Sequence, residues 1–215
     1  DFSSMTMREY LSLLIEKYGA KTILLGYDNR VGCDAAGADE VAAAALELGL
    51  EVLRTEMVPS EKGYAVSSTK IRERLEEGEV QEASAMLGYD YSLQGVVVAG
   101  NRLGRTIGFP TANMQLYEPL KLVPGNGVYF VKVRALDNEY FGMCNVGCRP
   151  TVGFGNARTI ETNIFDFDED IYGLDLEVTF VSRIRAEVRF DSLEDLRVQL
   201  EKDRDACRKV IRHLC

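Results

Sequence analysis

The sequence predicts two architectures in series, an α/β section and then an antiparallel all-β section, barrel or sandwich, finished by one helix. Three observations predict this. Up to Gly88, apolar runs alternate between helical and strand spacing. After Gly88, β-rich segments follow one another across Gly, Pro and Asn turns with no helical period between them. The final segment returns to a stripe of period 3.6.

The helical spacing begins at once. In "MTMREYLSLLIEKYG", Tyr10, Leu11, Leu14 and Ile15 share a face, and the chain opens on Asp1 directly into this pattern, as a truncated start would. "KTILLGYD" has the form of a buried parallel strand feeding a loop, "ADEVAAAALELGL" is an alanine-rich helix stopped by Gly49, and "LEVLRTEMV" is a second strand. "VSSTKIRERLEEG" sets hydroxyls before a charged helix ended by Gly78, and "EVQEASAMLG" is another ended by Gly88. The texture then changes, which places a domain boundary between residues 1–88 and 89–215. "YSLQGVVVAG", "NGVYFVKVRAL", "EYFGMCNVG", "RTIETNIFDFD" and "LDLEVTFVSRIRAEVRF" are the β-rich segments. The last helix starts at a Ser192 to Asp195 capping pattern and sets Leu193, Leu196, Leu200, Cys207, Val210 and Leu214 on one stripe.

Composition narrows the chemistry. With 215 residues, 46% of them apolar, the chain can build a real core, so a soluble globular protein is expected. A net charge of −9 and a pI near 4.8 disfavour non-specific attraction to nucleic acid or anionic membrane and favour a small partner. No apolar run approaches a membrane span, and the first residues lack a secretory pattern. Five cysteines without CxxC pairing suit reduced thiols in a cytoplasm, with Cys144 and Cys148 a weak metal hint. A single histidine, His213, leaves chemistry to carboxylates, arginines and hydroxyls.

The densest polar stretch is "GNRLGRTIGFPTANM". Gly100, Gly104, Arg105 and Thr106 imitate a P-loop, but with one residue too few and Arg for Lys, so that reading fails. Pro110 fixes φ and extends Phe109. If the segment stays extended, Thr111 and Asn113 point to one side and offer hard oxygen ligands to Mg²⁺. Glycines there let backbone approach phosphates that Arg102 and Arg105 neutralise. The alternative is a Gly-rich hairpin with incidental polar residues. Glu161 lies among Ile160, Ile164, Phe165 and Phe167, a setting that suits a general base; the alternative is an exposed strand glutamate in a salt bridge.

Other motifs are weaker. Asp166, Asp168, Asp170 and Glu177 have EF-hand spacing, but Ile171 replaces the required Gly and a strand pattern follows, so a solvated turn is expected. Gly153 and Gly155 lack the strand-to-helix context of a dinucleotide loop. Ser67, Ser68, Thr69 and Arg72 could hold phosphate at a helix N-terminus, with an ordinary N-cap as the alternative.

Together, "GRTIGFPTAN", "NVGCRPTVG", "IETNIFDFDEDIYG" and the late F-x-S-x-E-x-L helix resemble the riboflavin kinase domain of the bifunctional bacterial riboflavin kinase/FAD synthetases. "LLGYDNRVG" and "VSSTKIRERLEEGEVQEASAMLGYDYSLQG" resemble the later part of that family's FMN adenylyltransferase domain, a Rossmann-like nucleotidyltransferase, and its junction with the kinase. The resemblance implies a six-stranded antiparallel barrel and transfer of the ATP γ-phosphate to riboflavin, giving FMN and ADP. It assigns Thr111 and Asn113 to Mg²⁺, Gly108, Phe109 and Pro110 to the nucleotide, and Glu161 to the catalytic base. It implies phosphate binding by Ser67, Ser68, Thr69 and Arg72 in the adenylyltransferase part. Three departures stand out. Asn163 occupies a position where the family usually has His; Asn29 and Val31 replace common aromatics; and no HxGH is present, so FAD formation by this chain is not expected. A flavin-binding module without turnover is the competing reading, and FAD synthesis as the parent enzyme's main role is a third.

Overall fold

The computed structural model describes residues 2–56, 66–100, 103–150 and 156–214. The chain forms two compact units, Asp1–Val66 and Ser67–Cys215. In the first, α1 (Met7–Tyr18) begins at a capping box between Thr6 and Glu9 and ends at a left-handed Gly19. Strand β1 (Thr22–Leu25) leads through the two-residue strands β2 (Arg30–Val31) and β3 (Ala36–Gly37) into α2 (Ala38–Glu47). Strand β4 (Glu51–Arg54) then pairs parallel with β1. The parallel pairing follows the sequence expectation, but burial of the strand does not. Alternation turns Ile23, Leu25 and Val52 to the helices, while the paired Leu24 and Leu53 stay 64% and 50% exposed. Among the described residues, α1 and α2 supply cover for one face alone.

The second unit opens with α3 (Ser68–Glu76) and α4 (Val80–Leu87), whose Leu75, Val80 and Ala83 join the core of the barrel that follows. The change of texture at Gly88 therefore falls inside this compact unit. Next come β5 (Ser92–Val98), the single turn α5 (Leu103–Thr106), β6 (Ala112–Leu116), β7 (Gly127–Ala135), β8 (Asn138–Pro150), β9 (Asn156–Ile164), β10 (Asp175–Arg185) and α6 (Leu193–Leu214). The six strands close a barrel in the order β10-β5-β6-β9-β8-β7, all pairs antiparallel, which decides between barrel and sandwich.

Period-two alternation builds two apolar layers. Leu93, Met114, Tyr129, Val131, Val146, Ile160 and Phe180 fill the interior, with the Tyr129 and Phe180 rings edge-to-face at 5.2 Å. The other face of β7 and β8 would be wet, yet Val128, Phe130 and Met143 are buried because α6 lays Leu200, Cys207, Val210 and Ile211 over them. Ser192 caps this helix by accepting from the Asp195 amide at 3.1 Å, whereas Leu193 at its start is half exposed rather than part of the stripe.

One ion pair fixes α6 to the barrel. Arg185 at the end of β10 donates from Nε and Nη2 to the carboxylate of Asp203 at 2.8–3.0 Å, and Gln199 Nε2 donates to it at 2.8 Å. Asp203 is only 2% exposed, so loss of its partner would strand a buried charge. The Asp203→Ala variant is expected to lose about 3 kcal/mol of stability in urea denaturation, because a guanidinium is left without its counter-ion. The double change with Arg185→Met should recover most of it.

The four described cysteines are free thiols, Cys33 and Cys148 exposed, Cys144 and Cys207 buried. Cys144 is buried in the barrel core while Cys148 is exposed, and the described residues hold no cluster of three His, Cys, Asp or Glu that could grip a metal. Burial pushes the Cys144 and Cys207 thiols, and the Tyr91 hydroxyl, up to about 12. Each thiol therefore keeps its proton longer folded than unfolded. Their contribution is complete below the ordinary thiol value of 9.0 and is lost as pH climbs toward 12. Melting temperatures measured from pH 8 to 11 should fall progressively above about pH 9, and less steeply in the Cys144→Ala, Cys207→Ala double variant.

Candidate active site

Strand register places the candidate residues in one line. Asn113 of β6 stands opposite Glu161 of β9, Glu161 opposite Asn145 of β8, Asn145 opposite Val128 of β7, and Val128 opposite Arg185 of β10. The first three face outward, because their sequence neighbours Met114, Ile160 and Cys144 belong to the interior core. Neighbouring strands lie about 4.8 Å apart, so Asn113, Glu161 and Asn145 are spaced to meet one ligand.

Two clefts lie near this line, and the second borders it directly. The first is walled by the turn after β9, from Phe167 to Tyr172, with Arg105, Pro110 and Thr111 opposite. The second holds Glu161, Asn145 and Asn163 against an apolar wall that includes Ile107, Phe109, Phe190, Leu196 and Leu200. Thr111 lines both clefts.

The loop from α5 to β6 is built by close backbone approach. The Phe109 amide donates to the Gly104 carbonyl at 2.8 Å, and a Cβ on Gly104 would lie 2.1 Å from the Phe109 oxygen, so only glycine fits. Phe109 itself is buried, with the Arg204 guanidinium 5.2 Å above its ring. Gly108 turns the chain at φ 82°, and Thr106 Oγ1 donates to the Leu103 carbonyl at 2.7 Å, so that hydroxyl closes a turn instead of facing a cleft. Thr111 and Asn113 then share a side, as the extended spacing requires, because Ala112 and Met114 go to the interior.

Not every expected residue joins the site. Arg102, Gly153 and Gly155 lie outside the described residues. Ser67 caps α3 by accepting from the Lys70 amide at 3.4 Å, and Ser68, Thr69 and Arg72 are exposed on that helix and line neither cleft.

The residues present suit a magnesium ion that arrives with a nucleotide. Thr111 and Asn113 are neutral hard-oxygen donors. A Cβ on Gly100 would fall 2.2 Å from the Asn113 carboxamide, so the backbone there packs on the ligand side chain and holds it. Both donors are neutral, so they would leave the charge of a bound cation to be balanced by the phosphates it arrives with.

Sequence reasoning missed three parts of the site. Asn145 becomes relevant only through its register with Glu161. Asp168, Asp170 and Tyr172 are exposed in the turn after β9, as expected, and what the sequence did not show is that this turn also lines the first cleft. Arg185 and Phe190 reach the second cleft because β10 ends beside α6.

A closed six-stranded antiparallel barrel with a covering C-terminal helix is the flavokinase fold. The flavokinase family model, described as riboflavin kinase, matches residues 87–211, and the chain belongs to the riboflavin kinase family. It is 48% identical over 139 residues to the bifunctional riboflavin kinase/FMN adenylyltransferase of Haemophilus influenzae, covering 64% of this chain and 44% of that protein. It is 33% identical over 207 residues to the Bacillus subtilis protein of the same name, covering 94% of this chain and 64% of that one. A solved structure described as a macrolide-efflux protein from Streptococcus pneumoniae is 38% identical, with a TM-score of 0.82 over 96% of this chain and 66% of that one. The chain thus spans under two thirds of the length of these two curated relatives. Among the described residues, no helix is long and apolar enough to cross a membrane.

The packing of Gly100 on Asn113 yields a direct test. Gly100→Ala should displace the Asn113 carboxamide and weaken magnesium-nucleotide binding in calorimetry by about tenfold, or ~1.4 kcal/mol. The melting temperature should move little.

Proposed function

We propose that this chain is a riboflavin kinase, transferring the γ-phosphoryl group of ATP to the ribityl 5′-hydroxyl of riboflavin to give FMN and ADP. One observation carries the reading: two clefts of different character meet at Thr111, and the Glu161 carboxylate stands in the second of them. The first cleft is mixed: Val97, Ile164, Phe167 and Ile171 line it together with Asp168 and Asp170, which can accept hydrogen bonds from a nucleoside, and with Arg105, whose charge suits its phosphates. The second has the apolar wall that a planar isoalloxazine ring needs.

Phosphoryl transfer asks for positioning and charge neutralisation more than for covalent chemistry. Thr111 and Asn113 would hold Mg²⁺, which when bound offsets the negative charge of the nucleotide phosphates. Glu161 accepts the proton of the 5′-hydroxyl as that oxygen bonds to Pγ and the bridge to ADP breaks. Asn145, beside Glu161 on the neighbouring strand, orients the ribityl chain. Phe109 and Pro110 separate the two clefts, and Gly104 and Gly108 set the loop that carries them.

The net charge of −9 and the biosynthetic chemistry fit a cytoplasmic enzyme with small-molecule partners and neither nucleic acid nor membrane. The first unit corresponds to the adenylyltransferase part named in the bifunctional relatives. Without an HxGH in the sequence, this chain is expected to stop at FMN.

The test is ATP, Mg²⁺ and riboflavin, with FMN separated by chromatography. Wild type should form FMN, and Glu161→Gln should lower kcat by about 10²–10⁴ while both substrates still bind. Equal turnover by the variant would place the base elsewhere. Saturable flavin binding by wild type without ADP release would replace the kinase with a binding module.

A further inference from the structure

The barrel is joined between β6 and β9 by only two ladder rows, Ala112 with Thr162 and Asn113 with Glu161. The next row would set Thr111 against Asn163, but backbone pairing has stopped there. In its place the Asn163 side chain reaches across, and Nδ2 donates to the Pro110 carbonyl at 2.7 Å. Because a carbonyl only accepts, the carboxamide must present its nitrogen to it, so the orientation is fixed by chemistry. Asn163 is 8% exposed and shares the outward face of β9 with Glu161. Pro110 directly precedes Thr111 in the chain.

We propose that Asn163 is a positioning residue: its hydrogen bond to Pro110 holds Thr111 at the meeting point of the two clefts, in fixed relation to Glu161. The role rests on the kinase reading above. It also answers the departure at this position, since a carboxamide supplies the one N–H that the Pro110 carbonyl needs. That bond continues the tie between the segment before β6 and β9 past Ala112, and without it Thr111 loses its registration. Asn163 itself takes no part in bond making. Asn163 also lines the second cleft, so its loss should weaken nucleotide binding through Thr111 and change flavin binding less.

The discriminating variants are Asn163→Asp, which keeps shape but opposes a carboxylate to the carbonyl, and Asn163→His, whose neutral Nδ1–H sits at the same bond distance from Cα as the carboxamide nitrogen. Calorimetric binding of Mg·ADP should weaken about tenfold in Asn163→Asp, the scale of a lost hydrogen bond with its acceptor left unpaired, and recover to within about threefold in Asn163→His. Riboflavin binding, read by flavin fluorescence, should change less than Mg·ADP binding in both, and kcat/KM should fall chiefly for ATP. Undiminished Mg·ADP binding by Asn163→Asp overturns the proposal. So does an equal loss of nucleotide and flavin binding, with a lower melting temperature, in both variants. Absence of FMN formation by wild type would instead sink the kinase reading, which the binding measurements keep separate.

Discussion

Two rows of backbone pairing between β6 and β9 govern the rest of the second unit. They close the barrel, and the same rows set Asn113 beside Glu161. Side-chain direction alternates with a period of two, so a slip of one residue would turn Glu161 into the packed interior and bring Thr162 out. Register here is therefore chemistry as well as topology. What fixes it is the apolar set on the inner face, where Ile160, Ile164 and Met114 must stay inside with Val146 and Val178. The core and the candidate site are opposite faces of the same strands.

The second constraint is the covering of the outer face. A barrel wall with nothing on it would present Val128, Phe130 and Met143 to water, and α6 removes that cost. The helix stops short of covering the row that contains Glu161 and Asn145, so a cleft opens between its first turns and the loop around Phe109. Arg185 belongs to both regions. Its guanidinium is held by Asp203 of α6, lies 5.7 Å from the centre of the Phe190 ring, and borders the cleft. The helix is thus tied to the barrel at the edge of the site, which gives a wall of the second cleft a fixed position.

What the sequence made legible follows from range. Thr111 and Asn113 could be read because two residues of one extended segment share a side whatever that segment pairs with. Uninterrupted strand spacing made the antiparallel β section legible but left barrel and sandwich open, and the apolar neighbours of Glu161 marked it as a candidate beside the alternative of an exposed strand glutamate. Asn145 could not be read, since its importance lies in a cross-strand partner that local pattern does not encode. Asp168 and Asp170 are the exposed turn residues their composition suggests, and that the same turn lines a cleft with Arg105 depends on the fold, which composition does not report. The hydroxyls of Ser67 and Thr106 misled in the opposite sense. Both are of a type that binds phosphate, and both are occupied by local backbone, which competes for short hydroxyl side chains wherever a turn or helix begins. In the first unit, the apolar run at Leu24 reads as buried, yet burial depends on a second layer that periodicity cannot report.

The distribution of thiols has a use of its own. Among the described residues, the first unit exposes Cys33 and the second exposes Cys148, while Cys144 and Cys207 are sealed in apolar surroundings. With Cys215 replaced, nitroxide labels would attach at one native position in each unit. Pulsed electron–electron resonance between them would then give the spacing of the two units in solution, and its change when nucleotide or flavin is added, without a cysteine being introduced anywhere.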